Sequence, residues 1–242
     1  GRGKGGGSLS LTLTADYLDA PLTPTPTPPR KGEGEEETET TMTYKAKSVA
    51  LATGVRMAYF EAGARDGLPV VFIHGITDSQ RSYERVLDLL PERVHAFSLT
   101  MRGHGESGKP VKGYTPHDMA ADVAAFLDAQ GISRAVIVGH SMGSVVARAF
   151  VETHGERALG LAIVGAFSSL HASADVAQVW DEVQKLGDVI PYEFAREFQV
   201  STLATPIPED FLDMAIGETQ KMPGAAFREA MGALVAHDFT TL

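Results

Sequence analysis

Residues 135–150 read AVIVGHSMGSVVARAF. An apolar run, Ala135 to Val138, stops at Gly139. Ser141 follows two positions later, then Gly143, and apolar residues resume at helical spacing with Val145, Val146, Ala149 and Phe150. A short apolar run bounded by glycine suits a strand covered on both faces, and the later stripe suits an amphipathic helix. The stretch is therefore expected to form a strand, a sharp turn at Ser141 and a helix. Such a turn strains the serine backbone and exposes its Oγ, and Gly139 and Gly143 stand where a side chain would collide with the neighbouring helix and strand. The free N–H groups and positive dipole end of the helix face the serine, favouring an anionic intermediate, and the Met142 N–H is placed to donate to it. The bland alternative is a tight turn with a small polar residue. The five-residue glycine-serine-glycine pattern is weak alone; the strand before it and the helix after it give it content.

Outward from this corner, the same alternation recurs. VVFI (70–73), VHAFSL (94–99) and LGLAIV (159–164) are further short apolar runs, while TYKAKSVAL and VRMAYFEA read as strands joined by a turn at Thr53-Gly54. Tyr83, Val86, Leu87 and Leu90 form a helical stripe ended by Pro91. Thr115-Pro116 offers an N-cap and a proline at the first helical position; Met119, Val123, Phe126 and Leu127 follow on one face, with Gly131 after them. Alternating strand and helix predicts a doubly wound α/β sheet over residues 42–170. From 171 to 242 no strand is legible. Val176, Val179, Trp180, Val183 and Leu186, then pieces holding Phe194, Phe198, Phe211, Met214, Phe227 and Met231, predict a helical cap.

Residues 1–41 have another character. A glycine tract, the run PLTPTPTPPR and an acidic GEGEEETETT bury nothing, and the segment is expected to be disordered. The chain lacks cysteine, so no thiolate nucleophile or disulfide is available, which fits a reducing, cytoplasmic setting. A formal net charge of −10 argues against nucleic acid and anionic membranes as partners, and no apolar run spans a bilayer.

The run VVFIHGITDS places His74-Gly75 at the end of a buried strand, where the Gly75 backbone can approach a reacting oxygen and the Ile76 N–H can be a second oxyanion donor. FIHG (72–75), RGHGESG (102–108) and VGHSMGS (138–144), in this order and spacing, resemble the α/β-hydrolase superfamily from about Val49 to Leu170. Within it the chain is similar to the group of esterases, lactonases, C–C bond hydrolases and cofactor-free haloperoxidases. The resemblance implies a mostly parallel sheet with helices on both faces and a helical cap. It also implies Ser141 as nucleophile, Ile76 and Met142 as oxyanion-hole donors, and no cofactor or metal. Ser141 argues against the relatives with an aspartate nucleophile.

A serine needs a base, and the base an orienting acid. The resemblance places the acid after the sheet strand that follows the cap, and the histidine after the last strand. Neither strand is legible before the final AHDFTTL. The last strands, with both groups, are therefore expected to lie outside this sequence, leaving the edge at 159–164 unpaired. Local substitutes are weaker. His140 adjoins the nucleophile but neighbours in an elbow point apart; His74 and His104 suit backbone bracing; His171 follows the last core strand on the right edge; His237-Asp238 lies beyond the cap. His95, His117 and His154 read as surface or helix-end residues, Asp78 and Ser79 as helix caps or pocket-mouth residues, and Arg102 as a brace for its turn. The expected function is a serine hydrolase of small carboxylic esters or lactones. A non-catalytic binding module of the same fold, and a C–C hydrolase or perhydrolase, remain open beside it.

Overall fold

The computed structural model describes residues 11–13, 44–167, 169–170 and 174–238. Seven strands form one sheet: β1 (Leu11–Leu13), β2 (Lys47–Ala50), β3 (Arg56–Gly63), β4 (Leu68–Ile73), β5 (Val94–Leu99), β6 (Ala135–His140) and β7 (Ala158–Val164), in the order β1-β7-β6-β4-β5-β3-β2. Strands β5, β4, β6 and β7 run parallel; β3 is antiparallel to β5, and β2 to β3. This is the mostly parallel sheet that the short apolar runs predict. Val71 and Ile73 of β4 enter the larger core with α2 (Pro116–Ala129) and α3 (Met142–His154), while Val70 and Phe72 enter a smaller core with Leu87. Burial on both faces explains why β4 reads as a continuous apolar run rather than an alternating one.

Local signals place the helices. Thr115 caps α2 through a capping box with Asp118, and Pro116 opens the helix. The stripe from Tyr83 to Leu90 does not make one helix. A 3-10 turn, Gln80–Tyr83, passes into the single turn α1 (Glu84–Leu87), and the chain closes on i→i−3 bonds from Leu89 to Val86 and from Leu90 to Leu87. Pro91 disfavours helical backbone at Leu90, so the periodic stripe outruns the helix.

Beyond β7 come α4 (Ala174–Val183), α5 (Tyr192–Ser201), α6 (Glu209–Gln220) and α7 (Gly224–Ala236), the cap that the sequence predicts. Val183, Ile190, Phe227 and Met231 pack into the same core as β4 and α3. The cap aromatics pack on one another: Phe194 and Phe198 stack at 6.2 Å, and both meet Phe227 edge-on.

Two expectations change at the sheet edge. Leu11–Leu13, inside the segment read as disordered, pairs antiparallel with Gly160–Ala162, so β7 does not present the bare edge expected of it. The alternation in SLSLTLT is a strand pattern that the low-complexity runs around it obscured. The rest of residues 1–41 lies outside the described residues, as does His171.

Candidate active site

β6 ends at His140, and the chain turns at Ser141 with φ 51° and ψ −116°. A non-glycine residue in such a conformation carries strain of order 1–3 kcal/mol and persists only where its surroundings enforce it. The Ser141 N–H donates to the Val164 carbonyl at 3.0 Å. The Ser144 N–H and hydroxyl both donate to the Ser141 carbonyl, at 2.9 and 2.6 Å. The two glycines allow the approach: a β-carbon at 139 would stand 2.1 Å from the Gly143 oxygen, and one at 143 would stand 2.1 Å from the Ile73 oxygen. Ser141 thus occupies the N-cap position of α3, and Met142, 1% exposed, begins the helix.

The facing wall is the loop after β4. Asp78 N–H donates to the Gly75 carbonyl at 3.2 Å, and Thr77 has φ 70°, the signature of a type II turn. Glycine is the usual residue at that third position; here it is a buried, β-branched threonine. Ile76, at the second position, packs against the core. A β-carbon on Gly75 would lie 3.1 Å from Asp78 Oδ2, 3.3 Å from His140 Nδ1 and 3.5 Å from Ser141 Cβ, so the absence of a side chain keeps loop and elbow together.

Asp78 does more than cap. Ser79 takes the capping role, accepting from the Arg81 N–H, while the half-buried Asp78 carboxylate accepts from Gln199 Nε2 at 3.2 Å, from the Ser82 hydroxyl and from the Gly75 N–H. Burial pushes its pKa up to about 6, with the Glu218 charge adding to the rise and the hydrogen bonds opposing it. Gln199, 7% exposed, also reaches Thr77 Oγ1 at 3.2 Å and Thr219 Oγ1 at 2.9 Å. Sequence reasoning passed over Gln199; the signal was a long polar side chain one position from Phe198, on the buried side of an amphipathic helix.

The histidines divide clearly. His74 is fully buried, its Nδ1–H donating to the Gly75 carbonyl at 2.6 Å and its Nε2 accepting the Met101 N–H at 3.0 Å. Burial holds its pKa well below the usual range, so it is a neutral brace with both nitrogens committed. His104 stands edge-on to it, bonded through Nδ1 to the Arg102 carbonyl, and burial pushes it down to about 4. His237 contacts the His117 ring, which in turn bonds Glu152 near the far end of α3, roughly 16 Å along the helix from Ser141. His95 pairs with Glu61 at the opposite end of the sheet. There it borders a polar cleft of about 440 Å³ with Lys47, Arg65 and Arg134, remote from the elbow. His140 remains beside Ser141, its ring between Gly75 and Gly165 and its pKa lowered by desolvation although the residue is exposed overall. Among the described residues, no hydrogen bond joins Ser141 Oγ to a histidine. No cluster of three His, Asp or Glu side chains there is arranged to hold a metal, and no helix is long and apolar enough to cross a membrane.

Arg102 braces its turn as expected. Its guanidinium makes bonds of 2.7 and 2.6 Å to the fully buried Asp122 and a further 2.6 Å bond to the Gly113 carbonyl.

A doubly wound sheet whose central strands end in a glycine-flanked serine elbow, faced by a His-Gly loop, defines a class of enzyme folds. The chain belongs to the alpha/beta hydrolase fold family, whose model matches residues 69–202. It is 31% identical over 172 residues to a non-heme chloroperoxidase of Streptomyces lividans, a match covering 70% of this chain and 59% of the relative. It is 34% identical over 98 residues to a soluble epoxide hydrolase of Corynebacterium sp. (strain C12), covering 40% of this chain and 34% of that one. The chain thus spans less than two thirds of the length of these relatives. An esterase from Exiguobacterium antarcticum has the same fold, with a TM-score of 0.69 at 20% identity over 81% of this chain and 75% of its own.

Proposed function

We propose that the protein is a serine hydrolase of small carboxylic esters or lactones, working through an acyl-enzyme at Ser141. The observation that carries this reading is the strained Ser141 backbone at the N-terminus of α3, directly across Gly75 from the oxyanion loop. Strain of this kind is retained where it serves the chemistry.

In this mechanism Ser141 Oγ attacks the substrate carbonyl. The carbonyl oxygen becomes an oxyanion between the Met142 and Ile76 N–H groups, and each such donor is worth about 10²–10³ in rate. The hydroxyl proton passes to a histidine base and then to the leaving alkoxide; water, deprotonated by the same base, releases the acid. His74, His95 and His104 bond elsewhere, so the base is not one of them. No cofactor takes part.

The absence of a histidine bonded to Ser141 among the described residues favours a second reading, a non-catalytic binding module of the same fold. The chloroperoxidase relative gives weight to perhydrolase chemistry at the same serine. A fluorophosphonate probe, with peptide mapping of the labelled residue, separates these readings. The hydrolase reading expects labelling of Ser141, its loss in Ser141→Ala, and turnover of p-nitrophenyl acetate that disappears with it. Labelling elsewhere, or equal turnover in Ser141→Ala, would falsify it. Turnover that requires added peroxide points to the perhydrolase.

A further inference from the structure

We propose that Gln199 is a positioning residue: reaching down from the cap, its amide holds Thr77 in the left-handed conformation and so fixes the Ile76 N–H. The inference rests on the reading above, in which that N–H receives the oxyanion.

Thr77 is mismatched to its place in the turn. The third position of a type II turn favours glycine because φ is positive there, and a β-branched side chain fits it poorly. Thr77 nevertheless holds φ 70° with its side chain fully buried. Something must prevent the turn from relaxing, and the turn's own hydrogen bond, 3.2 Å from Asp78 N–H to the Gly75 carbonyl, is long. Inside the loop the Asp78 carboxylate also accepts from the Gly75 N–H, and a further restraint comes from outside it. Gln199 Nε2 lies 3.2 Å from Thr77 Oγ1 and 3.2 Å from Asp78 Oδ1, the two residues that follow Ile76. Gln199 is itself fixed by Thr219, whose hydroxyl donates to the Ala215 carbonyl of α6. Two cap helices therefore converge on one amide, whose two hydrogens are shared among Thr219 Oγ1, Thr77 Oγ1 and Asp78 Oδ1; Thr219 takes one at most, so at least one is given to the oxyanion loop.

The cap also touches the core at the surface, where Lys221 pairs with Glu106 at 3.0 Å. Lys221 also pairs with the buried Glu218 at 2.8 Å, so the link is cut from its exposed side, at Glu106, which makes Glu106→Ala a control. If the cap acted only as a lid, cutting either link would have the same effect. If Gln199 sets the loop's conformation, only its own removal alters the loop, and the alteration depends on what residue 77 is.

The test is amide hydrogen exchange, by mass spectrometry, in peptides covering residues 74–80 of the full chain. Gln199→Ala is expected to speed exchange there about tenfold, while Glu106→Ala changes it by less than about twofold. In a Thr77→Gly background, where positive φ carries no steric penalty, the effect of Gln199→Ala should shrink to within about threefold. A loop unaffected by Gln199→Ala, an equal effect from Glu106→Ala, or an undiminished effect in the glycine background would each overturn the proposal. Should Gln199→Ala not fold, Gln199→Glu keeps the length, replaces the amide donor with an acceptor, and is read in the same way. Where the protein turns over p-nitrophenyl acetate, kcat should fall about 10- to 100-fold in Gln199→Ala with KM within about threefold, and a change in KM alone counts against the proposal. The exchange arm needs no turnover, so an inactive wild type counts against the hydrolase reading and leaves this inference to be decided by exchange.

Discussion

A β-carbon placed on Gly143 falls 2.1 Å from the Ile73 carbonyl oxygen, so α3 enters the corner only with a bare α-carbon against the end of β4. Both sides of that contact are backbone and neither can rotate away. Gly143→Ala is expected to lower the unfolding free energy by about 3 kcal/mol. Gly155, at the other end of α3, has φ −57°, and nothing lies within 4 Å of where an added methyl group would sit. Gly155→Ala should be neutral or stabilising by about 0.4–1 kcal/mol. Urea midpoints of the two variants decide it; equal losses would remove the steric account.

Ser141 makes a second stability test. Its φ of 51° and ψ of −116° suit glycine far better than serine. Ser141→Gly is expected to abolish fluorophosphonate labelling while raising stability by about 1–3 kcal/mol, a gain that Ser141→Ala should not match. A thermal melt of the three proteins side by side shows whether the strain is stored at this residue.

The Arg102–Asp122 pair lies under the turn that follows β5. Asp122 is fully buried and also accepts a 2.5 Å bond from Thr53 Oγ1. Asp122→Ala leaves a buried guanidinium without its counter-charge, and the expected cost is about 3–5 kcal/mol. Because the pair is sheltered, raising the salt concentration to about 1 M should change that cost little.

The buried histidines predict acid lability. His104 has its folded pKa pushed down to about 4, and burial holds His74 well below its usual range. Their unfolded pKa values are near 6.5. The unfolded chain therefore binds more protons between these limits, and stability falls as pH drops from about 6.5 towards 4. Asp78 works in the opposite sense. With its pKa raised to about 6, its contribution is fully present below about 4 and is lost as pH rises through 6. Chemical denaturation between pH 4 and 7 should give a shallower acid slope for His104→Gln than for wild type. Asp78→Asn should gain on wild type as pH rises from 4 to 6. Parallel curves for all three would show that neither group is perturbed by folding.

The strands and the elbow were legible because they rest on local pattern. The run from Val94 to Leu99 coincides with β5, and the glycines at 139 and 143 announce a collision that the backbone geometry bears out. The capping box at Thr115 was half legible: the threonine and proline were read, while the reciprocal bond from Asp118 emerged only in three dimensions. The pairing of Leu11–Leu13 with β7 was hidden because it joins segments about 150 residues apart, and alternation in a three-residue strand is brief. Gln199 escaped for a related reason. A polar residue on a cap helix acquires meaning only when the fold sets it over Thr77, 122 positions earlier in the chain. Asp78 was read as a helix cap or a pocket-mouth residue by position alone, and its bonds to Gly75, Ser82 and Gln199 were beyond reach of the sequence.

The register of β4 on β6 has a consequence during synthesis. Val70 pairs with Val136 and Ile73 with Gly139, partners 66 positions further along the chain. At ribosomal rates of about 5–20 residues per second, β4 waits roughly 3–13 s after its own emergence before β6 exists to pair with it. For that interval the edge of Val70–Ile73 that β6 will pair stays open, the other edge waits for β5, and the strand lacks α3 above it. Nascent chains of this protein stalled between residues 100 and 135 should be captured by chaperones that bind extended apolar segments, and chains stalled well beyond 154 should be released.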